Sequence, residues 1–415
     1  MILLMSGTPP APAYADGVIS LSNMSVPEPR KKQGYTPHNR VRLVRGGEEY
    51  FREMQRMIDG ARHSLHLQTY IYEDDLTGHR ITEALVRAAG RGVQVYVLLD
   101  GYASRRLSRE TVARFETSGV HFRYFEPLFR SRSHYVGRRM HHKIVVGDAS
   151  EALVGGLNVS DRYNDLPGQP AWLDWAILAE GQSAFELFRL CVSQWVRFPP
   201  EVRRIIDRHP APSIEESWQC LVRIRRNDWV NRRNQVSRTY LEMFRESKGE
   251  LVLMSSYFLP GRVFRRNMRM AVRRGVRIRL MLAGRSDVWL AKQAERYMYR
   301  WLLRNGIEIH EYERNILHGK IAVRDSLHVT CGSYNINNIS AYASVELNLD
   351  VLDEGFGAHV RQVLERIIDE DCTPVTEADY RTRYNAVQLA MQFMAYEMFR
   401  IVLFLFTFYF RQKDR

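Results

Sequence analysis

Cysteine is scarce in this chain of 415 residues. Cys191, Cys220, Cys331 and Cys372 show neither paired nor metal-type spacing, which excludes a disulfide framework and leaves reduced thiols as the expectation. No His-Glu-x-x-His, EF-hand or Walker A pattern occurs, so no metal, nucleotide or other cofactor is implied. The opening Met1-Ile-Leu-Leu-Met has no basic lead and is too short for a signal-peptide core. Acidic residues are also short: 47 Asp and Glu face 60 Lys and Arg, a net charge of +13. That excess points to a polyanionic partner, either nucleic acid or an acidic membrane. Pro, Gly and Ser crowd residues 1–40, which are expected to be disordered.

What the chain does have is one phrase written twice. His141-x-Lys143-x4-Asp148 is followed by Gly155-Gly156-x-Asn158, and His318-x-Lys320-x4-Asp325 by Gly332-Ser333-x-Asn335. A single His-x-Lys-x4-Asp arises by chance in roughly a few per cent of chains this long. Two copies with the same downstream asparagine do not. A lone histidine is more often a packed or surface residue than a catalyst; the repetition overturns that prior.

Each phrase reads as a β-hairpin. Lys143-Ile-Val-Val and Lys320-Ile-Ala-Val have strand character, and Glu151-Ala-Leu-Val and His328-Val-Thr-Cys look like antiparallel returns. Two-residue turns at Ala149-Ser150 and Ser326-Leu327 would set His141 opposite Asn158, Lys143 opposite Gly156, His318 opposite Asn335 and Lys320 opposite Ser333. Residues two apart on a strand share a face with their cross-strand partners, so imidazole, ammonium and amide gather on one surface. Asp148 and Asp325 fall at the turns, as substrate contacts or as turn-stabilising carboxylates.

The double pattern resembles the phospholipase D superfamily from about Val41 to Thr373. Within it the chain is most similar to bacterial cardiolipin synthases of the type without N-terminal membrane helices. The similar phrases are Tyr-Ile-Tyr-Glu-Asp-Asp at 70–75, Leu-Leu-Asp-Gly-Tyr at 98–102, Arg-Arg-Met-His-His-Lys-Ile-Val-Val at 138–146 and Leu-His-Gly-Lys at 317–320. The resemblance implies an α/β fold of two duplicated α-β-α layered domains, packed about a pseudo-twofold around one shared active site.

The periodicity agrees with duplication. Gly92-Val93 opens an apolar strand in the first half and Gly275-Val276 one in the second, with Ser118-Gly119-Val120 and Asn305-Gly306-Ile307 following at similar distance. Expected boundaries are 41–198 for the first domain, a Pro-rich linker over 199–216 and 217–380 for the second domain, each alternating strand and helix before its hairpin. Residues 381–415 form an apolar tail. Within it Tyr384–Phe410 is divided by Glu397 and Arg400, which argues against a full span, since that needs about 20 predominantly apolar residues. The expectation is a monotopic segment in one leaflet, with Arg400, Arg411, Lys413 and Arg415 among the headgroups.

Phosphodiester exchange needs a nucleophile, a proton donor for the leaving alkoxide and positive charge around the phosphoryl oxygens. Two histidines divide the first two tasks. Lys143 and Lys320 bring compact charge; Asn158, Ser333 and Asn335 are neutral donors for phosphate binding. By resemblance His141 is the nucleophile and His318 the acid/base, Glu346 orients His318, and Asp174 orients His141. An ordinary strand charge is the plainer account of both carboxylates. The resemblance further implies phospholipid substrates: phosphatidylglycerol, with phosphatidylethanolamine as an alternative donor, at the cytoplasmic side of a bacterial inner membrane. Arginines at 130, 132, 138 and 139 and a helix bearing Arg265, Arg266, Arg269, Arg273 and Arg274 suit an anionic membrane surface, and no nucleic acid partner is expected. The competing readings are a hydrolase of the superfamily, lipid- or nucleic-acid-directed, and a non-catalytic adaptor.

Overall fold

The computed structural model describes residues 34–127, 138–196, 199–211, 214–337 and 344–411. In the first half the elements are β1 (Thr36–Arg45), α1 (Glu48–Gly60), β2 (Ser64–Thr69), α2 (Leu76–Gly90), β3 (Gln94–Asp100), α3 (Arg109–Thr117), β4 (His121–Phe125), β5 (Arg139–Met140), β6 (Lys143–Gly147), β7 (Glu151–Gly155), β8 (Trp175–Gly181) and α4 (Gln182–Trp195). A helix α5 (Pro199–Arg208) leads onward. The second half comprises β9 (Cys220–Asp228), β10 (Arg233–Asn234), α6 (Gln235–Glu246), β11 (Glu250–Ser255), α7 (Arg262–Arg273), β12 (Arg277–Ala283), α8 (Trp289–Arg304), β13 (Glu308–Tyr312), β14 (Lys320–Arg324), β15 (His328–Gly332), β16 (Ser344–Leu352) and α9 (Glu354–Asp371). The chain closes with β17 (Cys372–Val375), α10 (Glu377–Arg383) and α11 (Ala386–Arg411).

The same pairing scheme occurs twice. Strands β2, β3 and β4 are parallel, as are β11, β12 and β13. On the other side of β2 the order β6, β7, β8, β1 is antiparallel throughout, and β14, β15, β16, β9 repeats it beside β11. A bulged contact of β1 with β9 joins the two sheets at their edges. Alternation along the strands sorts side chains into three cores. Val145 and Leu153 face outward onto α1 and α2, and Leu251, Leu253 and Ala322 face α6 and α8. Between the sheets, Ile144, Val146, Val154 and Ile177 meet Val252, Met254, Ile321, Leu347 and Leu349, with α4 and α9 at the margins. These central strands are buried along their whole length, including the polar positions Glu346, Asn348 and Asp350 of β16.

The hairpins differ from expectation by one residue. Lys143 pairs with Gly155, not Gly156, and Ile321 pairs with Cys331. The turns hold three residues because Asp148 and Ala149, like Asp325 and Ser326, adopt left-handed conformations with φ between 48° and 55°. Ser150 N–H then closes onto Gly147 O, and Leu327 N–H onto Arg324 O. Aspartate tolerates this region better than most residues. Its carboxylate also has a task here. Asp148 accepts from the backbone N–H groups of Arg62, His63 and Ser64, and Asp325 from those of Lys248, Gly249 and Glu250. Each aspartate therefore staples its turn to the entry of β2 or β11. Both stand at the far end of the hairpin strand from the histidines, so of the two expected roles the turn-stabilising one replaces the catalytic one, substrate contact.

Three boundary expectations also change. β1 begins at Thr36, inside the segment expected to be disordered, because residues 39–45 pair with β8. The connection at 199–216 contains α5, whose Val202, Ile205 and Ile206 pack against the central core. The tail is divided: Gln392 and Ala395 on α11 are buried, and Phe393 and Tyr396 stack on Tyr297 of α8. The first half of that helix is thus docked on the second domain. Residues 1–33 and the arginines at 130 and 132 lie outside the described residues.

Replacing Asp148 or Asp325 by alanine leaves three backbone donors without their acceptor. Each substitution is expected to lower unfolding free energy by about 1–3 kcal/mol, read as a drop in the urea midpoint at constant slope. An unchanged midpoint in both variants would contradict the stapling role.

Candidate active site

The two histidines meet where the halves touch, and the contact is crossed. His141 lies just before β6. Its backbone N–H donates to Val345 O at 2.9 Å, and β5 runs parallel to the start of β16. His318 lies just before β14. Its N–H donates to Leu173 O at 2.8 Å, where Leu173 and Leu317 form a parallel bridge. Each histidine segment therefore adds itself to the strand of the other half that carries a carboxylate.

The side chains follow. His141 Nδ1 is 2.9 Å from Glu346 Oε2, and His318 Nδ1 is 2.5 Å from Asp174 Oδ2. This reverses the expected pairing: Glu346 holds the first histidine and Asp174 the second. The resemblance implied a partner from the same half, whereas the pseudo-twofold exchanges them. With Nδ1–H given to a carboxylate, Nε2 of each ring is left with a free lone pair.

Both carboxylates are fully buried and held in place. Ser333 Oγ donates to Glu346 Oε2 at 2.5 Å and Ser344 Oγ to Oε1 at 2.7 Å. Asp174 Oδ1 accepts the N–H of Trp175 at 2.8 Å, and its Oδ2 lies 3.8 Å from Lys320 Nζ. The two half-sites are unequal here. At the position of Ser333 the first half has Gly156, where a Cβ would meet the Asp174 carboxylate at 2.4 Å. Only glycine leaves room for Asp174.

Lys143 Nζ donates to His141 O and lies 5.3 Å from the Tyr70 ring centre. Lys320 Nζ donates to His318 O and lies 2.8 Å from His318 Nδ1. Burial lowers the pKa of Lys143 to about 7 and of Lys320 to about 8, although Glu346 and Asp174 oppose the shift. Burial also lowers both histidines, His318 to about 4, with the nearby lysines adding to the effect and the carboxylates resisting it. For Glu346 burial acts upward, but His141, Lys143 and Ser333 together bring its pKa below the usual range. The site thus favours neutral imidazoles beside an ionised carboxylate.

The amides are less free than expected. Asn158 Oδ1 accepts from Ile71 N–H at 3.0 Å and its Nδ2 donates to Tyr163 Oη at 2.9 Å, so it ties loops together. Asn335 Oδ1 accepts from Ser256 Oγ at 2.6 Å. The aromatic neighbours had no signal in the repeated phrases. Tyr70 meets His141 edge-on at 4.9 Å, while Tyr163 and Trp172 lie 5.2 and 6.0 Å from His318. They differ between the halves, so comparing the two copies could not find them. Asp100 was also missed: its carboxylate accepts Met140 N–H at 2.8 Å, fixing the residue before His141. Arg138 and Arg139, expected to meet headgroups, are partly buried and face Asp228 and Asp100 at 2.7 and 3.6 Å.

A sequence profile described as "Cardiolipin synthase, PLD-like domain" matches residues 54–168 and 240–368, spanning both hairpins. Cardiolipin synthase B of Escherichia coli (strain K12) is 34% identical over 360 residues, 86% of this chain and 87% of that protein. The chain belongs to the cardiolipin synthase family of phospholipase D-like proteins. Another member, cardiolipin synthase B of Salmonella typhi, is 33% identical over 87% of this chain and 89% of its own length. Among solved structures, phosphatidylserine synthase from Haemophilus influenzae superposes with a TM-score of 0.66 at 15% identity, covering 87% of this chain and 93% of that one. Polyphosphate kinase from Porphyromonas gingivalis gives 0.56 at 16% identity over 82% of this chain and 49% of that one. At such identities these two likenesses establish the fold alone, the duplicated α/β phospholipase D-like architecture expected from the sequence.

The crossed pairing in this family member is open to test by NMR titration of labelled imidazoles. Glu346→Gln removes the one influence that raises His141, so the His141 titration is expected to move to still lower pH while His318 is little changed. Asp174→Asn should do the reverse. If Glu346→Gln shifts His318 instead, the crossed assignment is wrong.

Proposed function

We propose that this protein is a cardiolipin synthase that transfers a phosphatidyl group to phosphatidylglycerol through a phosphohistidine, with no metal or nucleotide cofactor called on. The observation that carries the reading is the crossed pair: two histidines, each held through Nδ1 by a buried carboxylate of the opposite half, with a buried lysine beside each. Family membership and the similarity to cardiolipin synthase B support the choice of lipid chemistry.

In the proposed course, His141 Nε2 attacks phosphorus of the donor lipid. The bond from phosphorus to the headgroup oxygen breaks, and His318 Nε2–H gives that oxygen its proton. A hydroxyl of a phosphatidylglycerol headgroup then delivers its proton to His318, its oxygen bonds to phosphorus, and His141 leaves. One phosphodiester replaces another, so bonds and protons balance. Protonation of His318 is favoured once an anionic phosphodiester offsets the lysine charge that depresses it. Glu346 steadies positive charge developing on the His141 ring. Lys143 and Lys320 stabilise charge on the phosphoryl oxygens, a role for preorganised donors in a site removed from water. Asn335 and Ser333 border that space; Ser333 acts through Glu346.

Purified protein given phosphatidylglycerol is expected to form cardiolipin and free glycerol. His141→Ala and His318→Ala should each remove nearly all turnover, since the two act as a unit. Quenched reactions should carry phosphatidyl mass on the peptide containing His141. Mass on His318 alone would reverse the roles, and phosphatidic acid as the sole lipid product would favour hydrolysis.

We also propose peripheral or monotopic association with a bacterial inner membrane on its cytoplasmic side. No helix among the described residues is long and apolar enough to cross a bilayer. The docked part of α11 still exposes Val387, Phe393, Met394 and Ile401, which suits a helix lying in one leaflet. A Val387→Ser, Met394→Ser, Ile401→Ser variant keeps the contacts of Phe393 and Tyr396 with α8. It is expected to move from the membrane pellet towards the supernatant while retaining its melting temperature; unchanged pelleting would remove the tail from the anchoring.

A further inference from the structure

Among the described residues outside α11, nearly all the large apolar side chains left exposed stand in four loops. Leu76 (70% exposed) begins α2 after β2, and Tyr102 follows β3. Val263 lies in the first turn of α7 after β11, and Val288 and Trp289 (61%) open α8 after β12. Met270, on α7, is the exception. All four loops leave the C-terminal ends of parallel strands, two in each half. His141 and His318 occupy those same ends, because β6 and β14 run antiparallel to β2 and β11. Ligands of open α/β sheets bind there.

Contacts link each loop to the site. Asn158 accepts from Ile71 N–H in the segment leading to Leu76. The guanidinium of Arg139, two residues before His141, lies 5.3 Å from the Tyr102 ring centre. Val263 shares a cavity of ≈ 470 Å³ with Tyr334, Ile336 and Asn337, which flank Asn335. Asp287, beside Val288, accepts from Tyr257 Oη at 2.5 Å and acts electrostatically on Tyr163, the neighbour of His318.

These loops carry both signs of charge, but among the described residues it is the arginines that stand without a polar partner. Arg105, Arg106, Arg262 and Arg285 are exposed and have no ion-pair partner among the described residues. The loop carboxylates are hydrogen-bonded within the protein: Glu73 to Arg162, Asp74 to Ser108 and Thr111, Asp75 to the N–H groups of Gly78 and Asp161, and Asp287 to Tyr257 Oη. Apolar tips beside arginines free to pair complement acyl chains beneath anionic headgroups, and a nucleic acid would leave the tips unused.

We propose that this rim is a bilayer-docking surface. Leu76, Val263, Val288 and Trp289 enter the headgroup–acyl boundary of an anionic membrane, and the arginines of the same loops contact lipid phosphates. The mouth of the site then faces the leaflet, and a substrate lipid reaches the histidines without leaving the bilayer. The proposal rests on the reading that the protein acts on lipids and adds which surface meets them.

The test uses the full chain and vesicles of equal parts phosphatidylglycerol and phosphatidylcholine brominated on their acyl chains. Tryptophan fluorescence is compared between the protein and its Trp289→Phe variant. Bromine is expected to quench a component that Trp289→Phe lacks. The Leu76→Ser, Val263→Ser double variant should bind vesicles at least roughly tenfold more weakly, with turnover of monomeric short-chain phosphatidylglycerol unchanged. Identical quenching in the protein and Trp289→Phe, or unaltered vesicle affinity in the double variant, overturns the docking surface. Absence of turnover on any lipid with the quenching intact would instead overturn the enzymatic reading and leave the surface standing.

Discussion

The arrangement depends on two hydrogen bonds that cross between the halves, His141 to Glu346 and His318 to Asp174. A buried carboxylate is costly to desolvate unless it is paired and hydrogen-bonded. Here the compensation is divided between halves: one supplies the imidazole, the other the carboxylate and the donors that hold it. The interface therefore does more than bury apolar surface. It completes two polar networks that neither half closes alone. The edge contact of β1 with β9 and the packing of Ile144 and Ile177 against Ile321 and Leu347 set the register in which these networks meet.

Much of this was legible in the sequence because the duplication supplies its own control. A His-x-Lys strand followed by a return strand, repeated with matching flanks, identifies the hairpins, the shared chemistry and the corresponding apolar strands that open at Val93 and Val276. Two kinds of information were not legible. The one-residue register shift depends on successive left-handed residues at 148–149 and 325–326, and Asp-Ala and Asp-Ser are weaker signals for such turns than Asn-Gly. The choice of carboxylate partner depends on the pseudo-twofold, and linear spacing carries no information about which half a strand will face.

Departures from symmetry give each histidine its own surroundings. Ser333 bonds Glu346, while Gly156 makes space for Asp174. Tyr70 borders His141, where its counterpart in the second half is Ser256, and Tyr163 with Trp172 borders His318. The repeated residues supply the reaction's common requirements, and the unrepeated ones distinguish two histidines that would otherwise be interchangeable. For the same reason the unrepeated residues are the ones a comparison of the two phrases passes over.

The buried lysines have a consequence for where such a site is fully charged. With pKa values brought to about 7 and 8, Lys143 and Lys320 are incompletely protonated in neutral bulk solvent. Beside an anionic bilayer the surface potential of roughly −30 mV raises the local proton concentration about threefold. A phosphodiester entering between the lysines raises their proton affinity again. On the proposed reading, lipid binding at this site is coupled to proton uptake, and an anionic membrane would set through its own charge the acidity at the site.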